Sequence, residues 1–365
     1  MAVAKGSRAK RKVAVPGART IVLQELPGFT RQLGAMMGAG MPIVACLSAL
    51  EEQADNKHFK PVIAQVRGAI EAGETLSEAF RHYPSVFDTL YCNMIAGGER
   101  SGDLAETMSR LAGFLESSAK LRRKVKSALM YPTIVLIMAL IIATGLILFV
   151  VPVFAEMFAD FDAELPLPTQ MLLNFSDLLR DYFVYVLVVL SAAVYAIRKW
   201  KKSEAGSMIW DGWMLRLPVF GKLNKFVASA RFARMLSQMA RSGVPILSAL
   251  KIVAGSTGNR VSGKVVEDAY TVVEKGDPLS TAMLNQSVYP ISLVRMLQAG
   301  EKTGNINEMM DSIADYYEDE VDTMLAGMTS LLEPLLMAFL GIVIGGLVIC
   351  MFLPMFQMGE IVGGG

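Results

Sequence analysis

The chain has 365 residues, 53% of them hydrophobic and 19% charged, with a mean hydropathy of +0.42. That balance is too apolar for an ordinary water-soluble enzyme and too charged for a bundle lying wholly in lipid, so part of the chain belongs in a membrane and part in water. The net charge of +1 averages over segments of opposite sign and points to no partner.

Residues 1–23 form a basic tail carrying Lys5, Arg8, Lys10, Arg11, Lys12 and Arg19. No apolar run of signal-peptide length follows, because Gln24, Glu25 and Pro27 interrupt it, and the tail reads as solvated rather than cleaved. Docking to anionic lipid or to an acidic partner is its functional alternative.

Residues 24–128 read as a helical bundle. The pattern predicts a helix around Phe29 to Gly38, a break at Gly40-Met41-Pro42, a second helix to about Ala54 and a third from Phe59 to Ala72. Gly73-Glu74 closes the third, and Thr75-x-x-Glu78 has the spacing of a capping box that satisfies the orphan amides of the next helix. Asp103-x-x-Glu106 opens a long helix in the same way, with Leu104, Met108, Leu111, Leu115 and Ala119 on one apolar stripe. No alternating strand pattern competes, so the expected fold is all-α.

A first membrane span is expected over 129–154, where Ser127 to Ala155 carries no charge and Thr133 to Val151 covers about 30 Å of hydrocarbon. Residues 155–181 read as a short acidic connection, and 182–198 as a second span with Tyr182, Phe183 and Trp200 at its interfaces. A basic and aromatic linker, 199–225, leads to a second helical domain over 226–332. A third span, 333–356, has Gly341, Gly345 and Gly346 on a small-residue face, and 357–365 form a tail. Lys120, Arg122, Arg123, Lys124 and Lys126 before the first span, with Arg198, Lys199, Lys201 and Lys202 after the second, place both domains and the N-terminus in the cytoplasm. The C-terminus then falls on the far side of the membrane, which is the periplasmic side if the membrane is the bacterial inner one.

The two domains are copies of one unit. Phe29-Thr30-Arg31-Gln32-Leu33 with Gly40 and Pro42 returns as Phe232-Ala233-Arg234-Met235-Leu236 with Gly243 and Pro245, at an offset of 203. Gly98-Glu99-Arg100-Ser101-Gly102 returns as Gly300-Glu301-Lys302-Thr303-Gly304, Tyr131-Pro132 as Glu333-Pro334, and Pro152-Val153-Phe154 as Pro354-Met355-Phe356, all at an offset of 202. One register with a single slip over so long a stretch is a duplication, not a chance match.

Chemistry-bearing residues are sparse. His58 and His82 have no Cys or acidic partner at ligand spacing and read as solvated; Cys46, Cys92 and Cys350 are scattered and read as small apolar residues, with no disulfide expected. The glycine-flanked segments at Gly98 and Gly300 lack phosphate-loop spacing. They read as tight interhelical turns, glycine supplying the cap and Glu99 or Glu301 bonding free amides at the next helix start. The alternatives are a partner contact there or a calcium held by Glu99 and Asp103. The basic run Lys120 to Lys126 is matched by an acidic run of Asp311, Asp315, Glu318, Asp319, Glu320 and Asp322, and the two are expected either to be solvated or to meet. With no catalytic set, cofactor site or nucleic-acid signature, the chain reads as a non-enzyme. A small-molecule transporter is a distant alternative, since the spans offer little polar beyond Thr144, Ser191 and Cys350.

These segments, with Ala128-Leu129-Met130-Tyr131-Pro132, Phe149 to Phe154 and Leu165-Pro166-Leu167-Pro168-Thr169-Gln170, resemble the inner-membrane platform family of type IV pilus assembly and type II secretion machines. Ser256-Thr257-Gly258-Asn259 and the acidic run followed by Glu333-Pro334 resemble the pilus branch more. The resemblance implies a multi-pass protein of the bacterial inner membrane, with cytoplasmic domains of six helices each. It implies a homo-oligomer, dimer or higher, that meets a hexameric assembly ATPase, pilin or pseudopilin transmembrane helices and other inner-membrane components of the machine.

Overall fold

A computed structural model describes residues 13–153, 167–201, 203–241, 243–284 and 286–363. Every regular element among them is helical, in agreement with the all-α expectation. Two compact units divide the chain, one formed by 1–123 with 211–321 and one by 124–210 with 322–365.

The first unit holds both copies of the repeat. After a helical turn, Ala18–Thr20, and a wider one, Ile21–Glu25, the first copy runs α1 (Leu26–Gly38), α2 (Ile43–Gln53), α3 (Lys60–Glu71), α4 (Leu76–Arg81), α5 (Thr89–Ser101) and α6 (Leu104–Gly145). Three helices in the second unit and its border follow: α7 (Leu167–Asp181), α8 (Phe183–Trp200) and α9 (Glu204–Arg216). The second copy repeats the series as α10 (Phe220–Arg241), α11 (Ile246–Ser256), α12 (Arg260–Val273), α13 (Leu279–Met283), α14 (Ile291–Thr303) and α15 (Ile306–Gly363). Six helices per copy is the number the resemblance implied.

Local chemistry sets these boundaries. Pro42 and Pro245 precede α2 and α11 with φ of −59° and −55°, a pre-set entry into a helix. Thr75 and Glu78 form the expected capping box at α4, and the Asp88 carboxylate accepts from the Tyr91 N–H at the start of α5.

The core of the first copy is aromatic. Phe29 lies edge-on to Phe59 at 5.2 Å, Phe80 and Phe87 stand 4.2 Å apart, and Tyr91 closes the cluster 5.0 Å from Phe87. The buried Tyr91 hydroxyl is hydrogen-bonded to Thr30 at 3.0 Å, which removes the cost of hiding it. In the second copy Phe232 keeps its place 5.3 Å from Tyr289, but Met283 stands where Phe80 does, and the aromatic stack is replaced by aliphatic packing. The stripe on α6 is inward as expected: Met108, Leu111 and Ala119 are buried and Leu104 and Leu115 half-buried. Between the copies α5 packs on α11, and the Arg110 guanidinium donates to the Arg241 carbonyl at 2.6 Å.

No helix ends at residue 128, the expected edge of the first domain. α6 continues through Pro132 for 42 residues and α15 through Pro334 for 58, lengths of about 63 and 87 Å. Two helices among the described residues, Leu104–Val153 and Ile306–Leu353, are long and apolar enough to cross a membrane. Helix α15 also takes in the expected tail as far as Gly363.

Two segments expected as connections are partly helical. The connection 155–181 is partly a helix: α7 fills its second half, while 154–166 lie outside the described residues. The hydroxyls of Thr169 and Ser176 donate to the carbonyls of Cys350 and Ile147, at 2.6 and 2.7 Å, so α7 lies along the apolar helices rather than looping away. The linker 199–225 likewise contains α9. The expected second span is the helix α8, 18 residues long.

Candidate functional site

The repeated signature residues converge on two features, each present twice. The first is the junction of α5 with α4 and α6. The turn falls at Gly102, not at Gly98: residues 98–101 are still helical, and Gly102 and Gly304 cap their helices with φ of 77° and 71°, the left-handed conformation that costs a side chain. Gly98 serves a close approach instead. A Cβ there would meet Thr107 Oγ1 at 2.6 Å and Thr107 Cβ at 2.8 Å, and at Gly300 it would meet Met309 Cβ at 2.8 Å.

Glu99 does not cap the next helix. Its carboxylate accepts the N–H of Ser77 at 3.1 Å and the Ser77 hydroxyl at 2.6 Å, which places it at the start of α4, behind it in the chain. Glu301 repeats this on the Ser280 N–H at 3.2 Å, at the start of α13. A carboxylate at the positive end of a helix makes charge-assisted bonds and fixes the angle between α4 and α5. Ser101 and Thr303 donate back to the carbonyls of Gly98 and Ala299.

Asp103 caps α6 through the Glu106 N–H at 3.3 Å. Glu99 and Asp103 are therefore committed to different helix starts, and no group of three His, Cys, Asp or Glu placed to hold a metal exists among the described residues. His82 is not solitary: its Nε2 lies 2.8 Å from Glu74, an acid eight residues earlier, whereas His58 is exposed. Cys46 and Cys92 are buried and Cys350 half-buried; burial pushes the Cys92 thiol up to about 12.

The second feature is an arginine clasp between the first and last helices of each copy. Arg31 on α1 engages Glu116 on α6 through two hydrogen bonds, with Nε to Oε1 at 2.8 Å. The guanidinium holds the Glu116 carboxyl below the usual carboxylate range. In the second copy Arg234 takes the equivalent Glu318 at 3.0 Å and adds Asp315 and Asp311, while Arg241 also binds Asp311. Burial works against the charge of Arg234, and the hydrogen bonds it donates to Asp315 and Glu318, with their negative charge, more than offset it, raising its pKa.

Three of the acids expected to face the basic run are thus consumed within their own copy, because Arg234 lies within reach and is only 16% exposed. Of the basic run, Lys124 does meet an acid, Asp322.

The remaining signature residues are not gathered into either feature. Gln32 is exposed on α1; Gly40 and Gly243 turn the chain with φ of 84° and 70°. Tyr131, Glu333 and Pro334 are exposed on the long helices, Pro132 and Pro152 are half-buried, and the side chain of Pro354 lies outside the described residues. Sequence reasoning missed Ser77, Ser280 and Glu116. Comparing the copies could have found them, since the offset of 203 pairs Ser77 with Ser280 and that of 202 pairs Glu116 with Glu318.

What these features define is a duplicated helical protein, with clasped copies that each run into a long apolar helix. The chain belongs to the family described as "Type II secretion system (T2SS), protein F", which matches residues 29–152 and 232–354, one match per copy. It is 41% identical over 360 residues to the type IV pilus assembly protein PilC of Myxococcus xanthus, covering 98% of this chain and 85% of the relative. To the type IV pilus assembly protein PilC of Pseudomonas aeruginosa it is 36% identical, over 97% of this chain and 95% of the relative. The type II secretion system protein F of Aeromonas hydrophila is 30% identical, over 93% and 87%.

Proposed function

We propose that this chain is the inner-membrane platform of a type IV pilus assembly machine, acting without chemistry of its own. Relatives named for pilus assembly are 41% and 36% identical, against 30% for one named for type II secretion, and this favours the pilus reading. The equivalent platform of a type II secretion system is the second reading, supported by the family match.

The observation that carries the proposal is the continuity of α6 and α15, each running from a clasped bundle into a long apolar stretch. Helices packed in this way pass a displacement of the bundle along their axis. In this reading the copies 24–128 and 226–332 are cytoplasmic, residues 129–154, 182–198 and 333–356 cross the membrane, the connection 155–181 lies at their periplasmic end with α7 packed along the spans, and the C-terminus faces the periplasm. A hexameric ATPase moves the bundles, and the spans move a pilin helix out of the bilayer. The platform works as a homo-oligomer beside other inner-membrane components.

Deleting Phe226 to Thr323 while keeping the spans is expected to abolish filament assembly; normal filaments from that variant would refute the proposal. Topology is tested separately by cysteines at Lys60 and Lys264. Both are expected to be labelled only from the cytoplasm, and labelling from opposite faces would overturn the arrangement.

A further inference from the structure

Helix α9 is absorbed by neither the clasps nor the long helices. Only residues 201–203 separate it from the end of α8 at Trp200. The Ser203 hydroxyl donates to the Trp200 carbonyl at 2.7 Å and accepts from the Gly206 N–H at 3.1 Å. A Cβ at Gly206 would overlap the Trp200 carbonyl, so the first turn of α9 folds hard against the last turn of α8. The chain turns a sharp corner where α8 ends, and glycine is the residue that permits it.

One side of α9 is apolar and exposed. Ala205, Ile209, Trp213 and Arg216 follow one another at helical spacing and are all exposed, Ile209 at 61% and Trp213 at 54%, with Met208 beside them at 42%. Two other positions are held: Leu215 is buried, and Asp211 accepts the Arg260 N–H at 2.8 Å. Cations border the apolar side. Arg198 and Lys199 end α8, Arg216 ends α9, and the Lys201 ammonium lies 3.9 Å from the ring centre of Trp210.

We propose that α9 lies flat in the headgroup layer of an anionic membrane, with Ile209 and Trp213 entering the acyl boundary and Lys201 and Arg216 meeting lipid phosphate. The charge decides the occupant: an exposed Trp and Ile face rimmed by lysine and arginine, one corner away from a span, matches an anionic lipid surface. The inference rests on the reading of α8 as a span.

The test uses the full-length chain with one tryptophan at a time, in vesicles of phosphatidylethanolamine and phosphatidylglycerol with brominated acyl chains. Trp200→Phe with Trp210→Phe leaves Trp213, and Trp210→Phe with Trp213→Phe leaves Trp200. Both tryptophans are expected to lose emission relative to unbrominated vesicles. If Trp200 is quenched and Trp213 is not, the proposal for α9 falls and the span stands. If neither is quenched, the span reading falls and takes this proposal with it. Quenching of Trp213 that is equally strong in wholly zwitterionic brominated vesicles would overturn the role of the cations.

A second probe guards against misfolded tryptophan variants. Ile209→Cys, labelled with a polarity-sensitive dye after replacement of the native cysteines, is expected to show blue-shifted emission that depends on lipid. Water-like emission, or a blue shift that persists in detergent-free oligomers without lipid, would overturn the proposal, the latter by assigning the face to a second copy.

Discussion

The carboxylate of Glu99 accepts both the backbone N–H and the hydroxyl of Ser77, at 3.1 and 2.6 Å, and thereby ties α5 to the start of α4. Ser77 is buried, so removing the acceptor leaves its amide without a partner and its hydroxyl with Thr75 Oγ1, 3.2 Å away, in place of a carboxylate. Glu99→Ala is expected to destabilise the protein by about 1–3 kcal/mol. Glu301 receives only the Ser280 N–H, so Glu301→Ala should cost less. Thermal melts of the two variants in detergent check the order, and equal shifts would show that the Ser77 hydroxyl contributes nothing.

Gly98 and Gly300 are set by space. The Cβ of Gly98→Ala has to enter the position of the Thr107 side chain, an overpacking that costs about 1–3 kcal/mol. Adding Thr107→Ala removes the atoms it meets at Oγ1 and should recover part of the loss. A double variant no more stable than Gly98→Ala would mean that the clash lies elsewhere.

The clasp of the first copy predicts an acid dependence. Glu116 has a lowered pKa in the folded chain because Arg31 favours its charged form. Its contribution is therefore complete above the ordinary carboxylate pKa and disappears as pH falls through the lowered folded value. Both side chains are more than 40% exposed, so the contribution is within about 1 kcal/mol. Melting curves of wild type and Glu116→Gln should differ at pH 7 and converge toward pH 3. A difference that persists in acid would remove the ion pair from the explanation.

In the second copy the clasp is a network. Removing Arg234 leaves Asp311, Asp315 and Glu318 repelling one another with only Arg241 as counter-charge on Asp311. Arg234→Ala should therefore cost more than Arg31→Ala, by about 1–3 kcal/mol, and Asp315→Asn in the same chain should return part of it. Measured melting shifts that rank the two arginine variants the other way would contradict this.

The duplication, the all-helical fold and two of the apolar helices were legible because each rests on local signals: a period of 3.6, a cap, or a register that returns after 203 residues. Glu99 was legible as a helix-end carboxylate, but its partner was not. It was assigned to the nearest free amides ahead of it, whereas the fold delivers those of Ser77, 22 residues behind. Arg234 was visible as a signature residue, yet the acids it binds are 77 to 84 positions away, in one run with Asp319, Glu320 and Asp322 that was expected to be solvated or to meet the basic run. Helix α7 was read as a connection because residues 156–181 are acidic apart from Arg180, although Gln170, Asn174 and Asp177 fall at helical spacing. Its stabilisation comes from contacts that Thr169 and Ser176 make with distant helices, which no local pattern records.

Pro132 and Pro334 occupy the same place in α6 and α15, 202 residues apart. A proline inside a helix cannot donate to the carbonyl four residues earlier, so each long rod lacks one rung of its ladder, at Ala128 and at Ser330. A rod under sideways load yields first where a rung is missing. The two helices therefore share a preferred flexing point at the same place in the repeat, just where each passes into its apolar stretch.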